Sequence, residues 1–216
     1  MTERRAFDGQ QFETKLTVGS WQSAEEVMKE IDKDEVFYAE SGGGVTFSGG
    51  EPLMQPQALR ELLQHCKSKG YHTAIDTSGH AEPAALQQLI ELADLWLFDL
   101  KIMDDARHVE YAGVSNELAL KNLQALALAR KKVIIRFPFI PGITDAPENM
   151  KQIAVLMDKL KLNRIDILPY HSIAKEKYRR MGKTFMLEGL KEPDEKKVNE
   201  TVEFFVSKGF IVGNGG

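Results

Sequence analysis

One cysteine, Cys66, stands in a chain of 216 residues, so no internal disulfide can form. That usage fits a reducing compartment, and a cytoplasmic location is expected. Long hydrophobic runs are lacking as well: no apolar stretch nears the roughly 18 residues of a membrane span. The opening, Met1 to Leu16, is polar and charged and so lacks the apolar centre of a secretory signal. Neither sign of charge dominates. With 28 Lys and Arg against 32 Asp and Glu, the net charge is −4, and the basic residues are spread rather than clustered. A nucleic-acid or membrane-surface partner is therefore not indicated. There is no internal repeat, low-complexity tract or linker, and one domain over residues 1–216 is the expectation.

What is present is an alternation of two hydrophobic periods. Ser23 to Tyr38 reads as a helix, with Ser23 as N-cap and Glu26 three residues on, a capping-box pattern. Val45 to Phe47 reads as a strand. Gln57 to Lys69 reads as a helix with Leu59, Leu62, Leu63 and Cys66 at helical spacing. The same reasoning gives strands at 71–77, 95–100, 132–140 and 164–169, and a short one at 210–212. Helices are expected at 83–93, 116–130, 147–160 and 194–208. Residues 1–22 carry no assigned element, and 172–191 reads as a polar, basic loop at the rim.

A repeated βα order implies a parallel sheet, and right-handed crossovers bring every strand C-terminus to one rim. The chain is short for a closed eight-stranded barrel, which takes about 250 residues. The fold class expected is α/β, a partial, open parallel βα barrel, with an open doubly wound sheet as the alternative.

The strand ends share one chemistry. The first delivers Gly49-Gly50-Glu51-Pro52, where glycines expose backbone groups beside a carboxylate, a notch suited to a ligand amino group. The next ends in Asp76-Thr77-Ser78-Gly79-His80, and the third in Asp99-Leu100-Lys101. Arg136 lies on the fourth, and Pro169-Tyr170-His171 ends the fifth. Strand periodicity sends Asp99 and Lys101 to one face and Phe98 and Leu100 to the other. Asp76 and Asp99 at one mouth need a proton, a cation or a cationic ligand between them. Read singly, Asp99–Lys101 is a surface ion pair, His171 a loop residue, and 76–79 an ordinary turn.

As an ordered set these segments, with Ser41 to Pro52, Gly113-Val114-Ser115-Asn116 and Leu168 to His171, resemble one family. It is the radical S-adenosylmethionine (SAM) activating enzymes of glycyl radical enzymes, and within it the pyruvate formate-lyase activating enzymes. The likeness runs from about residue 23 to residue 208. It implies the radical SAM type of partial barrel, here missing its first strand. It also implies SAM as cofactor, held by Gly49, Gly50 and Glu51 at the amino group, with Lys101 near the carboxylate. Asp99 and Leu100 would line the site, His171 would approach the adenosyl part, and Arg136 would add a rim contact. Asp76, Thr77 and Asp99 are similar to a family site for a monovalent cation. The implied partners are a glycyl radical enzyme as protein substrate and a flavodoxin or ferredoxin-type electron donor. In such enzymes a reduced [4Fe–4S] cluster cleaves SAM, and the resulting radical takes a hydrogen atom from a glycine of the partner.

The departure from the family lies in the cluster. Members hold it with three cysteines in a C-x3-C-x2-C loop; this sequence has no such loop, and Cys66 falls on the apolar face of a helix. The [4Fe–4S] cluster is expected of the family but not bindable by this chain alone, and a form lacking an upstream cluster segment is the expectation. Two other readings compete: a non-catalytic SAM- or partner-binding module, and a barrel lyase in which Lys101 forms a Schiff base.

Overall fold

The computed structural model describes residues 2–7, 10–15, 20–171 and 189–213. Two strands, β1 (Thr2–Phe7) and β2 (Gln10–Lys15), pair antiparallel. This corrects the expectation that residues 1–22 carry no element. The signal was the Asp8-Gly9 dipeptide, a strong hairpin-turn sequence, set between two six-residue segments. Those two residues lie outside the described ones.

From residue 20 onward the chain builds a six-stranded parallel sheet. Its strands are β3 (Gly44–Phe47), β4 (His72–Thr77), β5 (Leu95–Asp99), β6 (Val133–Phe139), β7 (Arg164–Pro169) and β8 (Ile211–Gly213). Their spatial order is the sequence order, β3-β4-β5-β6-β7-β8, and every pairing is parallel. A doubly wound sheet reverses strand order at a switch point. None occurs here, which rejects the alternative and leaves an open, singly wound partial barrel.

Helices α1 (Ala24–Ile31) and α2 (Glu35–Ser41) precede the sheet, and α3 (Pro56–Ser68), α4 (Pro83–Gln87), α5 (Asp105–Ala112), α6 (Glu117–Leu128), α7 (Pro147–Lys159) and α8 (Glu195–Ser207) lie in its crossovers. The capping box forms as expected: Glu26 N–H donates to Ser23 Oγ at 3.2 Å, and Ser23 N–H donates to Glu26 Oε2 at 2.7 Å. The single helix expected over 23–38 is interrupted by a 3-10 turn at Asp32–Asp34. There Lys69 and the Tyr71 hydroxyl both donate to the Asp32 carboxylate, so a tertiary anchor replaces continuous helix. Helix α4 stops at Gln87, short of the expected Ala93, while Leu89 and Ile90 remain buried in turns. Helix α5 was not anticipated because it buries no residue and so carries no apolar stripe. Its caps are its signature: Asp104 accepts from Arg107 N–H at 2.8 Å, and Gly113 takes φ +78 at the far end. The rim loop expected at 172–191 lies mostly outside the described residues.

Burial along β5 alternates. Trp96 and Phe98 are fully buried, whereas Leu95, Leu97 and Asp99 are half-buried on the other parity. With Ile75, Ile135 and Phe137 they form the main core, each fully buried side chain contributing about 2 kcal/mol. A second cluster joins Met28, Cys66 and Tyr71 between α1, α3 and the start of β4. Among the described residues no helix is long and apolar enough to cross a membrane.

Burial pushes the Cys66 thiol up to about 11. At mildly alkaline pH the native chain is therefore expected to react with iodoacetamide about two orders of magnitude more slowly than the chain unfolded in guanidinium. Equal rates, followed by mass spectrometry, would show Cys66 to be accessible.

Candidate functional site

At the C-terminal ends of β4, β5 and β6, four charged side chains meet. Asp99 and Arg136 are register partners on β5 and β6. Arg136 reaches across β5, so that its Nη1 lies 2.6 Å from Asp76 Oδ2 on β4, with its Nε 4.0 Å from Asp99 Oδ1. Lys101 Nζ lies 3.1 Å from Asp99 Oδ2. Ser48, just before the two glycines, donates to Asp76 Oδ2 at 3.0 Å and ties the β3 end into the cluster. All four charged side chains are between 21% and 34% exposed, so the pairs are screened less than at a free surface. Burial raises the Asp99 carboxyl above its ordinary range, Lys101 opposes that, Asp76 adds to it, and Arg136 opposes it again. The crowding of carboxylates inferred from sequence is real, and the protein answers it with its own cations.

The turn after β4 is fastened to the turn after β3 by Glu51. Its carboxylate accepts from the Thr77 hydroxyl, from Ser78 N–H at 2.9 Å, from Ser78 Oγ at 2.6 Å and from Leu53 N–H at 3.2 Å. Gly79 holds the turn at φ +72, and a Cβ there would overlap the Phe98 ring, so glycine is required twice over. Gly49 sits at φ +123, and a Cβ on either Gly49 or Gly50 would meet open space. The backbone of the notch is thus presented outward, while the Glu51 carboxylate is already committed.

A cleft of about 240 Å³ opens at this rim and runs beneath α5. Glu51, Ser78, His80, Asp99 and Lys101 line its polar end, and Leu100, Ile102, Ala119 and Leu120 its apolar end. His108, from α5, also borders it and bonds Val114 O through Nδ1 at 2.7 Å. His80 Nδ1 is buried with no hydrogen-bond partner. The sequence reading assigned no role to Ser78, His80 or His108; the place of Ser78 and His80 after a strand end was the one hint, and His108 lies on the unanticipated α5.

The structure brings Glu51, Asp76, Thr77, Asp99, Lys101 and Arg136 together, with Gly49 and Gly50 beside them. Leu100 is 3% exposed and shares the parity of Trp96 and Phe98; its N–H donates to Arg136 O at 2.9 Å, and its side chain borders the apolar end of the cleft. His171 makes no hydrogen bond or ion pair with the charged cluster; it is exposed, with Nδ1 3.9 Å from a Glu192 carboxylate oxygen. The three residues expected to share a monovalent cation have separate partners: Asp76 takes Arg136, Thr77 takes Glu51, and Asp99 takes Lys101. Among the described residues no group of three or more His, Cys, Asp or Glu could hold a metal. An iron–sulfur cluster does not fit this donor set, because the one thiol is fully buried against Met28.

Replacing Glu51 with Ala should strand the Leu53 and Ser78 N–H groups and two hydroxyls, lowering unfolding free energy by about 2 kcal/mol in denaturant titration. Glu51→Gln, which keeps one acceptor oxygen, should lose about half as much. A change below about 0.5 kcal/mol for Ala would contradict the bracket.

Residues 10–154 match the model of the Radical SAM superfamily. The chain is 39% identical over 202 residues to the trans-4-hydroxy-L-proline dehydratase activating enzyme of Clostridioides difficile, covering 92% of this chain and 67% of that protein. It is also 39% identical over 176 residues to the choline trimethylamine-lyase activating enzyme of Oleidesulfovibrio alaskensis, covering 80% and 57%. The chain thus spans only part of the length of these relatives. The crystal structure of a domain of pyruvate-formate lyase-activating enzyme from Bacteroides vulgatus superposes with a TM-score of 0.68 at 32% identity, covering 81% of this chain and 99% of that one. The chain belongs to the radical SAM superfamily, where its relatives are the activating enzymes of glycyl radical enzymes.

Proposed function

We propose that this chain is the SAM-binding part of a glycyl radical enzyme activating enzyme of the pyruvate formate-lyase activase type. One observation carries the reading: the ends of β3, β4, β5 and β6 converge on a single mouth that pairs outward-facing glycine backbone with balanced carboxylates and cations. SAM is a sulfonium bearing an ammonium and a carboxylate, so it needs acceptors and a cation close together. Carbonyl groups around Gly49 and Gly50 would take the ammonium, with the Glu51 carboxylate adding negative potential behind them. Lys101 would exchange part of its pairing with Asp99 for the ligand carboxylate, and Asp99 would line the pocket. Arg136 would hold Asp76 in place, and a monovalent cation would enter only by displacing it. His171 would meet the adenosyl part only after moving from its exposed position.

Bound SAM supplies, on reductive cleavage, the radical that takes a hydrogen atom from a glycine of a partner enzyme. Binding and orienting it is what this chain's residues are built for. One cysteine cannot supply the three thiolates of a cluster, so those would come from outside this chain, as would electrons from a flavodoxin or ferredoxin-type reductant. That single cysteine also favours a second reading, a SAM- or partner-binding module without radical chemistry. The Schiff-base reading is disfavoured, because Lys101 Nζ is engaged by Asp99 rather than offered free.

Calorimetric titration with SAM should show binding that weakens at least about tenfold in Asp99→Ala, a loss of about 1.4 kcal/mol. Anaerobic reconstitution with iron and sulfide should give no stoichiometric uptake of four irons. Unaltered affinity in Asp99→Ala would overturn the site, and stoichiometric iron would overturn the assignment of the thiolates elsewhere. Capture of a glycyl radical enzyme without SAM binding would favour the binding module.

A further inference from the structure

Sheet pairing ends at the mouth just where Lys101 begins. The last ladder contacts of β5 are the Asp99–Arg136 register pair and the Leu100 N–H bond to Arg136 O. Residues 101–103 then run outside the sheet, and their backbone is held by two buried amides from distant elements. Asn149 of α7, 7% exposed, donates to Lys101 O at 2.8 Å and to Thr144 O at 2.9 Å, and accepts from Met103 N–H at 2.8 Å. Asn116, which precedes α6, donates to Ile102 O at 3.1 Å and to Met103 O at 2.9 Å. All three carbonyls of the stretch are thus taken by side-chain amides. An amide engaged at both its oxygen and its nitrogen has one orientation, so Asn149 fixes the main chain it touches.

The side chain that leaves this segment toward the site is Lys101. Lysine is a point charge on a flexible four-carbon stem, and its precision depends on where its backbone is anchored. We propose that Asn149, seconded by Asn116, is a positioning residue for Lys101, setting the main chain from which the ammonium reaches Asp99 and the ligand carboxylate. The inference rests on the SAM reading above and extends it to α7, which meets Lys101 through its backbone carbonyl.

The test is a double-mutant cycle on SAM affinity with Asn149→Ala and Lys101→Met, read by calorimetry on chains checked for folding by circular dichroism. Asn149→Ala should weaken SAM binding about tenfold beside Lys101 and less than about twofold in the Lys101→Met background. Equal losses in the two backgrounds, or no loss beside Lys101, would overturn the proposal. Asn149→Ser serves in the same cycle if the alanine variant does not fold. Amide hydrogen exchange in the ligand-free chain gives a readout independent of SAM. Met103 N–H should exchange faster in Asn149→Ala while the amides of β4 to β6 keep their protection. Unchanged exchange at Met103 would also overturn the proposal. If no variant binds SAM while Met103 behaves as expected, the SAM reading fails and the anchoring of residues 101–103 stands.

Discussion

Two carboxylates placed at one end of a parallel sheet must be given positive charge, and that requirement organises this mouth. Asp76 and Asp99 lie on adjacent strands, and the registers of β4, β5 and β6 leave no freedom to separate them. Arg136 spans two strand spacings, close to 10 Å, to neutralise Asp76, and Lys101 folds back to neutralise Asp99. The sheet could not place these charges so without its other parity. Trp96 and Phe98 pack into the buried core and hold β5 in place, while Asp99 and Lys101 line the mouth. Removing one partner of such a partly buried pair leaves a charge uncompensated, which costs more than the pair itself contributes.

On the proposed reading, balanced charge would also suit the mouth to SAM. The ligand carboxylate would take only part of Lys101's pairing with Asp99, so binding would exchange ion pairs rather than create them. Behind that exchange stands a fixed framework: the Glu51 bracket between two turns, the Gly79 contact with Phe98, and the asparagines beneath residues 101–103. A preorganised site of this kind spends little of its binding energy on ordering itself.

Much of this was legible in the sequence. The switch between helical and strand periods located all six parallel strands, most firmly the four central ones, whose apolar residues are the core itself. Rim convergence followed from βα order alone. What escaped was structure not carried by an apolar stripe. The pairing of β1 with β2 had its sequence cue in Asp8-Gly9, and α5 had its own in the caps Asp104 and Gly113, short local cues that a search by hydrophobic period passes over. The role of Glu51 as a bracket, and the reach of Asn149 across 48 residues to Lys101, depend on tertiary distance, and no spacing rule reports them. The likeness to activating enzymes pointed to Glu51 as a ligand acceptor; the hydroxyls that occupy it are visible only once β3 and β4 are side by side.

A crystal structure of the chain grown with SAM tests the central claim most directly. It should show the ligand lying across the ends of β3 to β6, its ammonium against the backbone of residues 49–51 and its carboxylate drawing Lys101 away from Asp99. SAM bound at another face of the sheet, or a mouth left with its Asp76–Arg136 and Asp99–Lys101 pairs intact and no ligand between them, would contradict it.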